Sequence, residues 1–202
     1  MKKSIKLFCA LLVASLFSYC GSDNDPVVTP TPAAICNTTG TEFQTIFGTG
    51  GSVTYDFDVH SYNFVLTQNK TVCKIGYQSN THNASNPYTI KILQGSTVIY
   101  NQPHTFSNTA ISYVTPTTPI NLTAGVTYTI ERWQTNSGSD NMQNVGRVNF
   151  TTTFPATSSF MTITGSYFYF DATYINPILL GPNGTGTLTD TALPYIDIVF
   201  EQ

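Results

Sequence analysis

The chain has 202 residues, with 8 Lys and Arg against 11 Asp and Glu, and only 9% of it is charged where ordinary globular domains carry about 25%. A net charge of −3 with no basic patch argues against nucleic-acid binding and against electrostatic attachment to an anionic membrane surface. Aromatics at 13% argue against a disordered chain.

Lys2, Lys3 and Lys6 form a basic start, and Leu7 to Phe17 is an apolar run of the length of a signal-peptide core, too short to span a bilayer. The run ends in Leu16-Phe17-Ser18-Tyr19-Cys20, which resembles a bacterial lipoprotein lipobox. That resemblance implies a signal peptide over residues 1–19 and acylation of Cys20, so that membrane lipid is the first partner. Several acyl chains at about 0.8 kcal/mol per buried methylene anchor stably where a single chain is marginal. The alternative is an uncut or conventionally cut signal with an incidental cysteine. Gly21-Ser22-Asp23-Asn24-Asp25 resembles the surface-export tag of Bacteroidota lipoproteins, a spirochaete lipoprotein being the second reading. The implied location is the cell envelope, at the outer membrane and on its surface. Loss of the three leader lysines leaves five basic residues against eleven acids, a net charge of −6.

Residues 20–40 read as a lipid-anchored linker, because Pro26, Pro30 and Pro32 among threonines and valines favour extended geometry. With Cys9 in the leader and Cys20 acylated, Cys36 and Cys73 remain. In an oxidising compartment they are expected to form a disulfide, with two separate buried thiols as the alternative. Zinc is disfavoured, since no histidine stands at ligand spacing from either.

From Thr41 the hydrophobic period is two, and no amphipathic helix is evident. Val53, Tyr55, Phe57 and Val59 alternate with Thr54, Asp56, Asp58 and His60, and Tyr62, Phe64 and Leu66 continue the run. Cys73, Ile75 and Tyr77 form a strand pattern, and so do Tyr88, Ile90 and Ile92. Gln94-Gly95-Ser96 is a hairpin turn from which Thr97–Asn101 returns. Ile111 and Tyr113 open a strand broken by Pro116 and Pro119. In Val126–Trp133, Tyr128 and Ile130 face one way and Thr127, Thr129, Glu131 and Trp133 the other. Later strands are marked by Phe150, Phe154, Met161, Ile163 and Tyr167–Phe170, and Ile196, Ile198 and Phe200 close the chain. The expected fold of residues 41–202 is all-β, a single jelly-roll-like antiparallel β-sandwich.

The order FVLTQNKTVCKIGYQS, PYTIKILQGSTVIYN, INLTAGVTYTIERW, with the closing Tyr195-Ile196-Asp197-Ile198-Val199-Phe200, resembles an extracellular bacterial jelly-roll domain of unknown function found beside glycan-active modules. These motifs are structural, so the resemblance implies fold rather than activity.

No catalytic set is visible. His60, His82 and His104 are scattered and read as surface or turn residues, and no Gly-x-Ser-x-Gly elbow is present. Carboxylates for glycoside hydrolysis would have to come from Glu131, Asp140, Asp171, Asp56 or Asp58, with Glu131 beside Arg132 reading as an exposed ion pair. Asp56 and Asp58 share a strand face and are weak calcium ligands, with a solvated face and no cofactor as the default. Trp133, at the mouth of a polar loop with Gln134, Asn136, Asp140 and Asn141, is the best ligand-binding candidate, and a tryptophan capping the sandwich is the bland alternative. Asp190-Thr191-Ala192 resembles a Bacteroidota O-glycosylation acceptor, which would place glycan on Thr191. The expected function is a non-catalytic surface binding module for a glycan or another extracellular polymer. The alternatives are a structural or adhesive envelope protein with a protein partner and, least favoured, a carbohydrate-active enzyme.

Overall fold

The computed structural model describes residues 35–49, 51–55, 58–79, 87–134, 144–169 and 192–202. The leader, Cys20, Asp56, His82, Asn136, Asp140, Asn141, Asp171 and Thr191 lie outside the described residues. In chain order the elements are α1 (Glu42–Phe47), β1 (Ser52–Tyr55), β2 (Val59–Leu66), β3 (Lys70–Tyr77), β4 (Tyr88–Gln94), β5 (Thr97–His104) and β6 (Ser112–Val114). They continue with β7 (Ile120–Leu122), β8 (Thr127–Trp133), β9 (Asn144–Asn149), β10 (Ala156–Thr157), β11 (Met161–Tyr169), β12 (Leu193–Pro194) and β13 (Asp197–Phe200).

Every strand pair is antiparallel, and the fold is an all-β sandwich without barrel closure. One sheet has the order β10-β11-β2-β8-β4-β5, and the facing sheet has the order β13-β3-β6, with β7 also paired to β3. A small third sheet has the order β1-β9-β12. The core lies between the first two. Tyr62, Phe64, Leu66, Ile90, Ile92, Tyr128, Ile130, Met161 and Ile163 come from one side, and Val72, Ile75, Tyr77, Ile198 and Phe200 from the other. Each such buried side chain contributes roughly 1.5–3 kcal/mol.

Turn chemistry reads through to the structure. Gly95, at φ 58°, sits in the β4–β5 turn, and Gly125, at φ 75°, precedes β8 and donates its N–H to the Leu66 carbonyl at 2.8 Å. Pro116 and Pro119 separate β6 from β7, each of which pairs with a different stretch of β3. Cys36 and Cys73 are disulfide-bonded, with Cα atoms 6.1 Å apart. The bridge lands where β13 passes from Val199 opposite Lys74 to Phe200 opposite Val72, a bulge that leaves Cys73 as the extra residue. Ile35, placed in the linker by its sequence, accepts the Gln202 N–H at 3.1 Å, so the chain just before Cys36 already belongs to the sandwich.

Several expectations are corrected. The period of two does not hold from Thr41, because α1 intervenes. Its N-cap Thr41 accepts the Gln44 N–H at 3.0 Å, and Gln44 Oε1 takes the Gly40 N–H at 2.9 Å. Phe43 and Phe47, one turn apart, are both buried and pack against Tyr195, while Phe43 also stacks on Tyr62. Six residues show this repeat only once, which is why the periodicity is invisible in the sequence. The run from Val53 to Leu66 is likewise two strands in two sheets, with Val53 exposed and the inward face of β2 carried by His60, Tyr62, Phe64 and Leu66.

Asp197 ties these parts together. Its carboxylate is wholly buried and accepts hydrogen bonds from Thr41 Oγ1 at 2.8 Å, Gln44 Nε2 at 2.8 Å, the Tyr113 hydroxyl at 2.9 Å and, longer, the Tyr195 hydroxyl at 3.4 Å. Burial pushes the Asp197 pKa up, and these four donors oppose the rise. Tyr113, Gly76 and Asp197 stand in one row across β6, β3 and β13. Gly76 has no side chain, so the Tyr113 ring crosses it to reach the carboxylate.

Candidate ligand-binding face

Trp133 ends β8 with its side chain on the outward face of the six-stranded sheet, half-buried, while Tyr128 and Ile130 point into the core. This is the orientation its alternation predicts. Its indole N–H donates to Glu131 Oε2 at 2.6 Å, and the Lys91 ammonium lies 3.7 Å from its ring centroid. Lys91 stands directly opposite Glu131 across β4 and β8. The ring is thus held in one orientation by a carboxylate at its edge and a cation over its face.

The same face continues across two more strands. Glu131 is opposite Ser61 of β2, and Ser61 is opposite Tyr167 of β11. Thr129 Oγ1 donates to Asn63 Oδ1 at 2.7 Å, and Asn63 Nδ2 donates to the Tyr167 hydroxyl at 3.2 Å. Tyr167 reaches toward Asn63 past Gly165, whose missing Cβ would stand 3.7 Å from the hydroxyl. Lys91, Glu131, Ser61 and Tyr167 are aligned in one register row across four strands, but Ser61 is only 1% exposed and its Oγ donates to the Tyr167 carbonyl at 3.3 Å, so the row is interrupted at β2. Aromatic rings stand at Trp133 and Tyr167, with amide, hydroxyl and charged groups between them. Lys91, Asn63, Thr129 and Tyr167 were not singled out by sequence reasoning. Their outward phase is legible, but the register that aligns β4, β8, β2 and β11 is not.

The other predicted site residues fall elsewhere. Gln134, one position past Trp133, turns to the opposite side, where it is buried and its Nε2 donates to Asp58 Oδ1 at 3.2 Å. Asp58 is buried rather than on a solvated face. It lies inward while Glu131 lies outward, so these two carboxylates do not face each other. Among the described residues no three His, Cys, Asp or Glu side chains group to hold a metal ion.

Inside the sandwich, beneath Asp58 and Gln134, Arg132 and His60 sit opposite each other and are both buried. The Arg132 guanidinium lies 5.3 Å from the Tyr77 ring and 4.9 Å from the Tyr88 ring. His60 Nδ1 is 3.4 Å from the Tyr77 hydroxyl, and its ring meets Phe168 edge-on at 5.0 Å. Arg132 is therefore not the surface partner of Glu131, and His60 is a core residue. His104 is half-buried with its Nε2 2.5 Å from the Tyr100 hydroxyl, and burial lowers its pKa. With exposures of 0% and 1%, Arg132 and His60 are both withheld from solvent.

Among the described residues no helix is long and apolar enough to cross a membrane. Comparison with family models, with curated proteins and with solved structures finds no match.

Proposed function

We propose that this chain is a non-catalytic binding module of the cell envelope, carried on a lipid anchor at Cys20, that holds a glycan or similar extracellular polymer across the outer face of its six-stranded sheet. The observation that carries the reading is the Trp133 ring already fixed by Glu131 and Lys91, with the bonded Thr129, Asn63 and Tyr167 side chains on the neighbouring strands. A pre-ordered aromatic offers contact area without the entropy cost of immobilising it on binding. Amide and hydroxyl side chains beside it match the donors and acceptors of sugar hydroxyls.

The test is a polysaccharide screen of the soluble chain from Ile35, with Trp133→Ala and Tyr167→Ala as controls. Removing one well-packed aromatic contact is expected to weaken binding about tenfold or more. Absence of binding to any glycan, with a protein recovered by crosslinking on cells, would support an adhesive envelope role instead. For the anchor, a Cys20→Ala chain that still takes up palmitate label defeats the lipoprotein reading.

A further inference from the structure

Strand β5 forms one outer edge of the six-stranded sheet. With eight residues, Thr97–His104, it is the longest strand at any sheet edge among the described residues. It carries no Lys, Arg, Asp or Glu, and Val98 and Ile99 are exposed by 48% and 39%. A long, uncharged, partly apolar edge invites pairing with a strand of another molecule. A second copy of β5 would meet no like charge there.

The register fixes which backbone groups face that open edge. The Gln134 N–H donates to the Asp58 carbonyl at 2.9 Å, so Gln134 directs its pairing groups at the chain leading into β2. Pairing groups alternate in direction along an antiparallel strand, so Trp133 and Glu131 direct theirs at β4. Thr89 and Lys91 stand opposite these two and spend their own groups on β8. Pro103 and Asn101, opposite Thr89 and Lys91, therefore turn their backbone groups outward. Pro103 has no N–H, so β5 lacks a donor on the very side where an added strand would need one. On the other side of Asn101 the ladder is broken. Tyr100 pairs with Ile92 and Val98 with Leu93, which leaves Ile99 as an extra residue. Between these two blocks, Asn101 alone offers an N–H and a carbonyl to a partner.

We propose that Pro103 and the Ile99 bulge keep two copies of this protein from joining their six-stranded sheets through β5. Such a junction would be isologous, with the same strand supplied by both copies, so a block on one strand acts twice. The fold loses nothing by the proline, because β4 does not use the groups of that residue. Nothing in this depends on what the Trp133 face binds.

Sedimentation velocity of the soluble chain from Ile35, over a concentration series, tests it. Pro103→Val and Pro103→Thr both restore the N–H, one with an apolar side chain and one with a polar one. Both should melt like the parent, and both should dimerise at least about tenfold more tightly than it does. Asn101→Pro combined with Pro103→Val moves the proline to the other outward-facing position and should return the chain to the parent's behaviour. Pro103 variants that associate no more than the parent would overturn the proposal. Association in Pro103→Val but not in Pro103→Thr would also overturn it, since the added apolar side chain would then be the cause. So would association undiminished by Asn101→Pro, which would place the contact on another surface.

Discussion

Replacing Tyr113 by Phe removes one hydroxyl and leaves the ring lying over Gly76. The lost bond is to a buried carboxylate at 2.9 Å, a class of interaction that contributes about 1.5–3 kcal/mol. Gln44 Nε2 also loses an acceptor at 2.9 Å, but it keeps the Thr38 carbonyl and Asp197 Oδ2, both at 2.8 Å. A destabilisation of about 2 kcal/mol follows. With a urea slope of about 2 kcal/mol/M for a domain of this size, the unfolding midpoint should drop by about 1 M.

The effect carries a pH signature. Burial raises the Asp197 pKa above its ordinary value, so ionised Asp197 works against folding. Its contribution to stability is fullest below the unfolded carboxyl pKa and is lost as pH rises through the folded one. Removing a donor raises the folded pKa further. The deficit of Tyr113→Phe should therefore be larger near pH 7 than at about pH 3, toward which the carboxyl becomes protonated in both proteins. Urea titrations followed by tyrosine and tryptophan fluorescence at both pH values measure this. A deficit under about 0.5 kcal/mol, or one equal at the two pH values, would refute the role given to Asp197.

Gly76→Ala would place a Cβ against the Tyr113 ring, 2.8 Å from Cδ1 and 3.0 Å from Cζ, and overpacking of that kind costs about 1–3 kcal/mol. The same substitution in a Tyr113→Ala background should cost much less, and additivity in that cycle would show that the ring does not cross Gly76. Opening the Cys36–Cys73 bridge as a double serine variant frees a loop with a separation of 37 residues, for which chain entropy predicts a loss of about 4 kcal/mol. Thermal melting of the oxidised and variant chains checks it, and unchanged melting would mean that the N-terminal contacts alone hold this segment. Phe43→Ala empties a site with 0% exposure between Phe47, Tyr62 and Tyr195, with an expected cost of about 3–5 kcal/mol by urea unfolding. A cost under about 1 kcal/mol would show that α1 is not anchored through that ring.

Much of the β architecture is legible before folding, because strand faces follow a local rule. Tyr128 and Ile130 inward with Trp133 outward, the turn at Gly95, the interruption at Pro116 and Pro119, and the pairing of Cys36 with Cys73 all rest on neighbours in sequence or on a count of cysteines. The polar exceptions do not follow from that rule. His60 and Asp197 read as surface residues and Arg132, though in the inward phase of Tyr128 and Ile130, reads by its charge as a surface partner of Glu131, yet each is buried. Tyr77 and Tyr88 flank Arg132, and four donors from three separate segments surround Asp197.

The sequence by itself determined that this is a β-rich chain, which side of β3, β4 and β8 is apolar, and where the turns at Gly95 and Pro116–Pro119 fall. Only the tertiary structure decided which strands are neighbours. The pairing of β2 with β11 joins Ser61 to Tyr167 across more than a hundred residues, and the pairing of β4 with β8 sets Lys91 beside Glu131 and Trp133. Alternation assigns a side chain to a face from its own strand, whereas a row of neighbouring side chains needs the register between strands, which is set by long-range packing of the whole core.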